Sequence, residues 1–98
     1  MKDKYYVDRY YVWPDLDYKV PTEIEGIEFI PTSLGMSRAV IEFDNGYGVS
    51  IIRGWGAYRD AEHPFELGVL HNGELENEPY GHLNALEVMQ YIMEIKAY

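Results

Sequence analysis

Apolar and polar residues alternate over two stretches, Arg38 to Phe43 and Tyr47 to Arg53, with Asp44-Asn45-Gly46 between them. Alternation of period two flanking an Asn-Gly pair predicts a β-hairpin. A two-residue loop at Asn45-Gly46 would put Ala39, Ile41 and Phe43 on the face opposite Tyr47, Val49 and Ile51. A three-residue loop with Gly46 in the left-handed conformation pairs Phe43 with Tyr47 and Ile41 with Val49, joining both apolar sets on one face. The bulged turn is therefore preferred. A strand around Gly26 to Ile30, with Ile24 nearby, is expected to precede it, connected by Pro31-Thr32-Ser33-Leu34-Gly35.

A second alternation sets Phe65, Leu67 and Val69 inward against Glu66 and Gly68 outward. His71-Asn72-Gly73, read as another three-residue loop, pairs Val69 with Leu75 on the apolar face. The return strand from Glu74 to Glu78 is short and acidic, as suits a protected edge. Its outer face would carry Glu74, Glu76 and Glu78 about 6.6 Å apart, a repeat close to that of phosphates along a nucleic acid. Further on, Asn84 and Glu87 form a capping box, and Leu83 can staple against Val88. Ala85, Val88, Met89, Ile92 and Ile95 make an apolar stripe, with Glu87, Gln90 and Glu94 on the wet face.

These elements predict an α+β fold: an antiparallel sheet of four to five strands with bulged hairpins, packed against one C-terminal helix. The 98 residues fit a single domain, 1–98, divided into an aromatic segment (1–20), a sheet (24–78) and the helix (84–97). The aromatic segment holds Tyr5, Tyr6, Tyr10, Tyr11, Trp13 and Tyr18, interrupted by Pro14 and Pro21. A strand from Tyr5 to Trp13 would place Arg9 among its apolar face, and the pattern also permits a helix. Gly54-Trp55-Gly56 ends the second strand, and the loop from Tyr58 to Pro64 follows; Trp55 can be tucked over the sheet edge or projected outward.

Charge changes the picture most. Residues 60–98 carry eight acidic side chains and one basic, Lys96, whereas the first 59 carry nine acids and seven bases; the whole chain has a formal net charge of −9. That asymmetry points to a basic partner and argues against direct binding of DNA or RNA. An acidic helix and the lack of a run of about 20 apolar residues argue against a membrane role, so a cytoplasmic location is expected. Without cysteine, thiol chemistry is absent. His63, His71 and His82 lie near Glu62, Glu66, Glu74 and Glu78 in sequence, yet no spacing matches a metal-ligand set, and Gly46, Gly48 and Gly54 lack a phosphate-loop ending. No catalytic, cofactor-binding or metal-binding residues are assigned, and no enzymatic activity is expected.

The stretches Asn45-Gly46-Tyr47-Gly48-Val49-Ser50, Ile51-Ile52-Arg53-Gly54 and Phe65-Glu66-Leu67-Gly68-Val69-Leu70, with the helix that closes the chain, resemble small uncharacterised acidic proteins of bacterial phages and prophages. The resemblance covers residues 38–95. It implies an inhibitor of host defence, of which anti-CRISPR proteins are one kind, acting in the cytoplasm of a bacterial host. The expected partner is a basic host protein that binds nucleic acid. Its candidate footprint comprises Glu62, Glu66, Glu74, Glu76, Glu78, Glu87 and Glu94, with Tyr5, Tyr11, Trp13, Trp55 and Tyr58 as aromatic anchors. The alternative is a structural module, such as a homodimer through the aromatic segment, whose acids serve solubility.

Overall fold

The computed structural model describes residues 5–7, 10–12, 20–21, 23–32, 35–54 and 63–98, with side chains described from residue 23 onward. Three short strands, β1 (Tyr5–Val7), β2 (Tyr10–Val12) and β3 (Val20–Pro21), form an antiparallel sheet of their own in that order. The aromatic segment is thus built on a β1–β2 pairing, Tyr5 opposite Val12 and Tyr6 opposite Tyr11, in place of one continuous strand or a helix. The expected strand's end at Trp13 lies outside the described residues.

The main sheet is antiparallel and holds β4 (Ile30–Pro31), β5 (Ser37–Glu42), β6 (Tyr47–Arg53), β7 (Phe65–His71), β8 (Glu74–Leu75) and β9 (Tyr80–Leu83). Since β6 pairs with β7 along its whole length, β8 and β9 share the remaining edge of β7. The sheet is therefore five positions wide, with one helix, α1 (Ala85–Lys96), packed on one face against β6 and β7. This is the expected α+β class.

The β5–β6 hairpin takes the bulged register. Ile41 lies opposite Val49 and Ala39 opposite Ile51, the Phe43 amide donates to Tyr47 O at 2.8 Å, and Gly46 has φ +86°. Only glycine adopts that φ without penalty, so the turn residue decides which face the strands present. That face meets Val88, Ile92 and Ile95 of α1, with Phe65, Leu67 and Val69 from β7 in the same core. Burying each of these helix side chains contributes roughly 1.5–3 kcal/mol. The capping box forms as expected: Glu87 N donates to Asn84 Oδ1 at 2.8 Å and Asn84 N to Glu87 Oε1 at 3.0 Å. Leu83 and Val88 are both buried, in the places a hydrophobic staple requires.

Three expectations are corrected. The strand before β5 is Ile30–Pro31, not Gly26 to Ile30; Gly26 instead turns the chain at φ +84°, where Ile27 N donates to Ile24 O at 3.0 Å. The second hairpin has a two-residue loop, because Asn72 and Gly73 both take positive φ (52° and 84°), the geometry of a type I′ turn. Leu75 therefore pairs with Leu70, not Val69, and lies over Gly68 on the face away from the helix, where it is half exposed. The return strand also stops at Leu75, so Glu76 and Glu78 do not continue a period-two ladder with Glu74.

The β5–β6 turn is tied to the end of α1 by a side chain. Asn45 Nδ2 lies 3.0 Å from Ile95 O and 3.3 Å from both Lys96 O and Tyr98 O, while its Oδ1 accepts from Tyr47 N at 2.9 Å. One turn amide thus closes its own hairpin and satisfies carbonyls left over at the helix end. Asn45→Ala is expected to destabilise the fold by about 1–2 kcal/mol in chemical denaturation. Asn45→Asp, which keeps the acceptor but sets a negative charge against the helix C-terminus, should be no less damaging. Wild-type stability in both variants would remove this contact from the account.

Candidate functional site: an acidic tyrosine ridge

Tyrosines distant in sequence meet in two groups, one where the ends of β6 and β7 adjoin the end of α1 and one between β9 and α1. Tyr47 and His71 are cross-strand partners on β6 and β7, and their rings stack at 4.2 Å with 7° between planes. Tyr98, just beyond the helix, meets Tyr47 edge-on at 5.0 Å. Tyr80 of β9 stacks on Tyr91 of α1 at 4.8 Å and 20°.

A bulge makes the second stack attainable. Phe65 lies opposite Leu83 and Leu67 opposite Tyr80, so three steps on β9 match two on β7. The extra step coincides with His82 at φ +57°, a left-handed conformation that histidine adopts more readily than most residues. Leu83 can then enter the core while Tyr80 faces Tyr91; strict alternation would send them to opposite faces.

Carboxylates border these rings. Loss of water around the Tyr91 hydroxyl pushes its pKa above the ordinary 10.0, with further increments from Tyr80, Glu94, Glu87 and Tyr98. The Tyr98 hydroxyl is raised as well, first by water lost against its neighbours and then by Glu94, Tyr80, Glu76 and Tyr47. Tyr98 is 59% exposed, so solvent screens much of that effect. Glu76, Glu87 and Glu94 therefore act on one group of tyrosines, while Glu74 lies opposite His71 in the β7–β8 register. Ring faces and carboxylates at one surface suit a guanidinium or ammonium group, which can rest on a ring and pair with an acid.

The expected footprint is only partly assembled. Glu74, Glu76, Glu78 and Glu94 are exposed, and Glu78 lies in the connection between β8 and β9. Glu87 is half-buried and its carboxylate serves the helix cap. Glu66 is not an outward surface acid: it is 8% exposed on a strand flanked on both sides, opposite Ile52. Glu62, Trp13, Trp55 and Tyr58 lie outside the described residues. Tyr5 and Tyr11 have their backbones on β1 and β2, and their side chains lie outside the described set. Sequence reading missed Tyr47, Tyr80, Tyr91 and Tyr98 as a group because no local spacing connects them.

Among the described residues, no three His, Asp or Glu side chains converge as metal ligands, and no helix is long and apolar enough to cross a membrane. Arg38 donates to Ser50 Oγ at 2.8 Å, and Arg53 pairs with Glu23 at 2.7 Å beside the Phe29 ring. Comparison of the chain with family models, curated proteins and solved structures finds no match.

Folding favours the protonated form of Tyr91 and Tyr98, so their contribution is fully present below pH 10.0 and declines as pH rises through the raised values. Phenolate absorbance should show both groups ionising above 10.0, with Glu94→Gln lowering both. A step at or below 10.0 that vanishes in Tyr91→Phe or Tyr98→Phe would contradict the ridge electrostatics.

Proposed function

We propose that the protein is a binding protein whose acidic tyrosine ridge occupies a basic surface of another protein, one that otherwise holds nucleic acid. The observation that carries this reading is the collection of Tyr47, Tyr80, Tyr91 and Tyr98 beside Glu76 and Glu94, in a chain of net charge −9. The acids steer a basic surface inward and discriminate against nucleic acid itself; the rings then contribute contact area with little rotamer entropy to lose. Exposure of Tyr98 and of Tyr80, the latter 44%, leaves ring surface available for that contact. Such occupancy is inhibition by competition, and the inhibitor of host defence implied by the phage resemblance is its specific form.

The test is competition. A partner recovered from bacterial lysate at low salt, and shown to bind labelled DNA, should release the DNA when the protein is added. Glu76→Gln with Glu94→Gln should weaken the competition about tenfold and flatten its salt dependence, and Tyr98→Ala should weaken it further. Glu87 is left intact because it caps the helix. Unchanged competition by these variants would defeat the ridge as the binding surface. A stable dimer that masks Tyr98 and displaces no DNA would favour the homo-oligomeric reading instead.

A further inference from the structure

The opposite side of the main sheet carries a second feature. In β5, the Phe43 amide bonds to β6, and alternation then turns the backbone groups of Ile41 and Ala39 toward β6 and those of Arg38, Val40 and Glu42 away from it. Arg38 is met by Ile30, but β4 reaches no further, and β1 to β3 belong to another sheet. Among the described residues, the outward N–H and C=O groups of Val40 and Glu42 are left at an open edge.

An open groove of 540 Å³ runs beside this edge, lined by Ile27, Glu28, Ile30, Arg38, Val40 and Ile41. Ile30 and Val40 are 54% and 49% exposed. Backbone donors and acceptors at ladder spacing are best satisfied by another backbone, which selects an extended chain over a small molecule. Exposed isoleucine and valine favour apolar side chains at alternate positions of that chain. Glu42 shares a face with Val40, two residues away, so exposed Glu28 and Glu42 favour lysine or arginine on the same face as those apolar side chains, while Arg38, the one cation among the described residues that line the groove, is engaged by Ser50. Two copies of this chain are poor occupants for each other, since edge-to-edge pairing would bring together two chains that each carry a net charge of −9.

We propose that the β5 edge is a strand-addition site for an extended segment of another protein in which apolar and basic residues alternate along the face it shares with Val40 and Glu42. It lies about 14 Å across the sheet from the edge shared by β8 and β9, by the usual strand spacing, and does not depend on the ridge.

The test uses the full chain, isotope-labelled for NMR, and a synthetic nonapeptide that repeats valine-valine-lysine-lysine, which alternates valine and lysine along each face. Saturable shifts are expected at the Val40 and Glu42 amides. A valine and glutamate peptide should bind at least tenfold more weakly. Two analogues N-methylated at alternate positions in opposite phase should differ at least tenfold, because only one phase removes the paired amides. Equal binding of the two analogues, shifts confined to the tyrosine ridge, or no saturable shift at Val40 and Glu42 would overturn the proposal. Sedimentation as a dimer through the β5 edge would overturn it in favour of a second copy.

Discussion

The left-handed glycine at the β5–β6 turn is the constraint on which the rest depends. Gly46 at φ +86° makes the loop three residues long, and that length places Ala39, Ile41, Val49 and Ile51 on one face. Without the bulge, the strands would offer α1 half as many apolar partners. The same turn presents Asn45 to the helix end, so hairpin register and helix docking are set by neighbouring residues. Tyr47, one residue after Gly46, is thereby delivered to Tyr98. The ridge is a consequence of how the core closes.

The far edge of the sheet has a different logic. There β8 and β9 divide one edge between them, and the left-handed His82 lets Tyr80 and Leu83 serve the same face. This interruption breaks the even spacing of Glu74, Glu76 and Glu78 that would imitate a phosphate repeat. It sets Glu76 near Tyr98 instead. The proposed recognition thus relies on acids mixed with rings, which suits individual cationic side chains better than a phosphate-like ladder does.

The sequence was legible where short-range chemistry decides the outcome. The bulged Asp44-Asn45-Gly46 turn follows from one face having to hold all the apolar side chains, and Asn84 with Glu87 announces the helix start. At Asn72-Gly73 the same reasoning failed, because a half-exposed Leu75 does not need the core and the Asn-Gly pair prefers a two-residue turn. Glu66 was misread because alternation assigns it to the face away from the helix but does not show that this face is shielded there, where Ser50 and Leu70 are buried as well. Of the candidate footprint, the exposed acids were readable from charge alone. The tyrosine ridge was not, since Tyr47, Tyr80, Tyr91 and Tyr98 are joined only by tertiary packing.

The central claim is that one bulged turn fixes the core face, the helix end and the first half of the ridge together. NMR of the full chain tests it most directly, through nuclear Overhauser contacts at three places. The account predicts contacts of Ile41 and Val49 side chains with each other, of the Asn45 side-chain amide with the last turn of α1, and of the Tyr47 ring with the Tyr98 ring. Ile41 and Val49 on opposite faces of the sheet, or Asn45 and Tyr47 making no contact with the helix end, would contradict it.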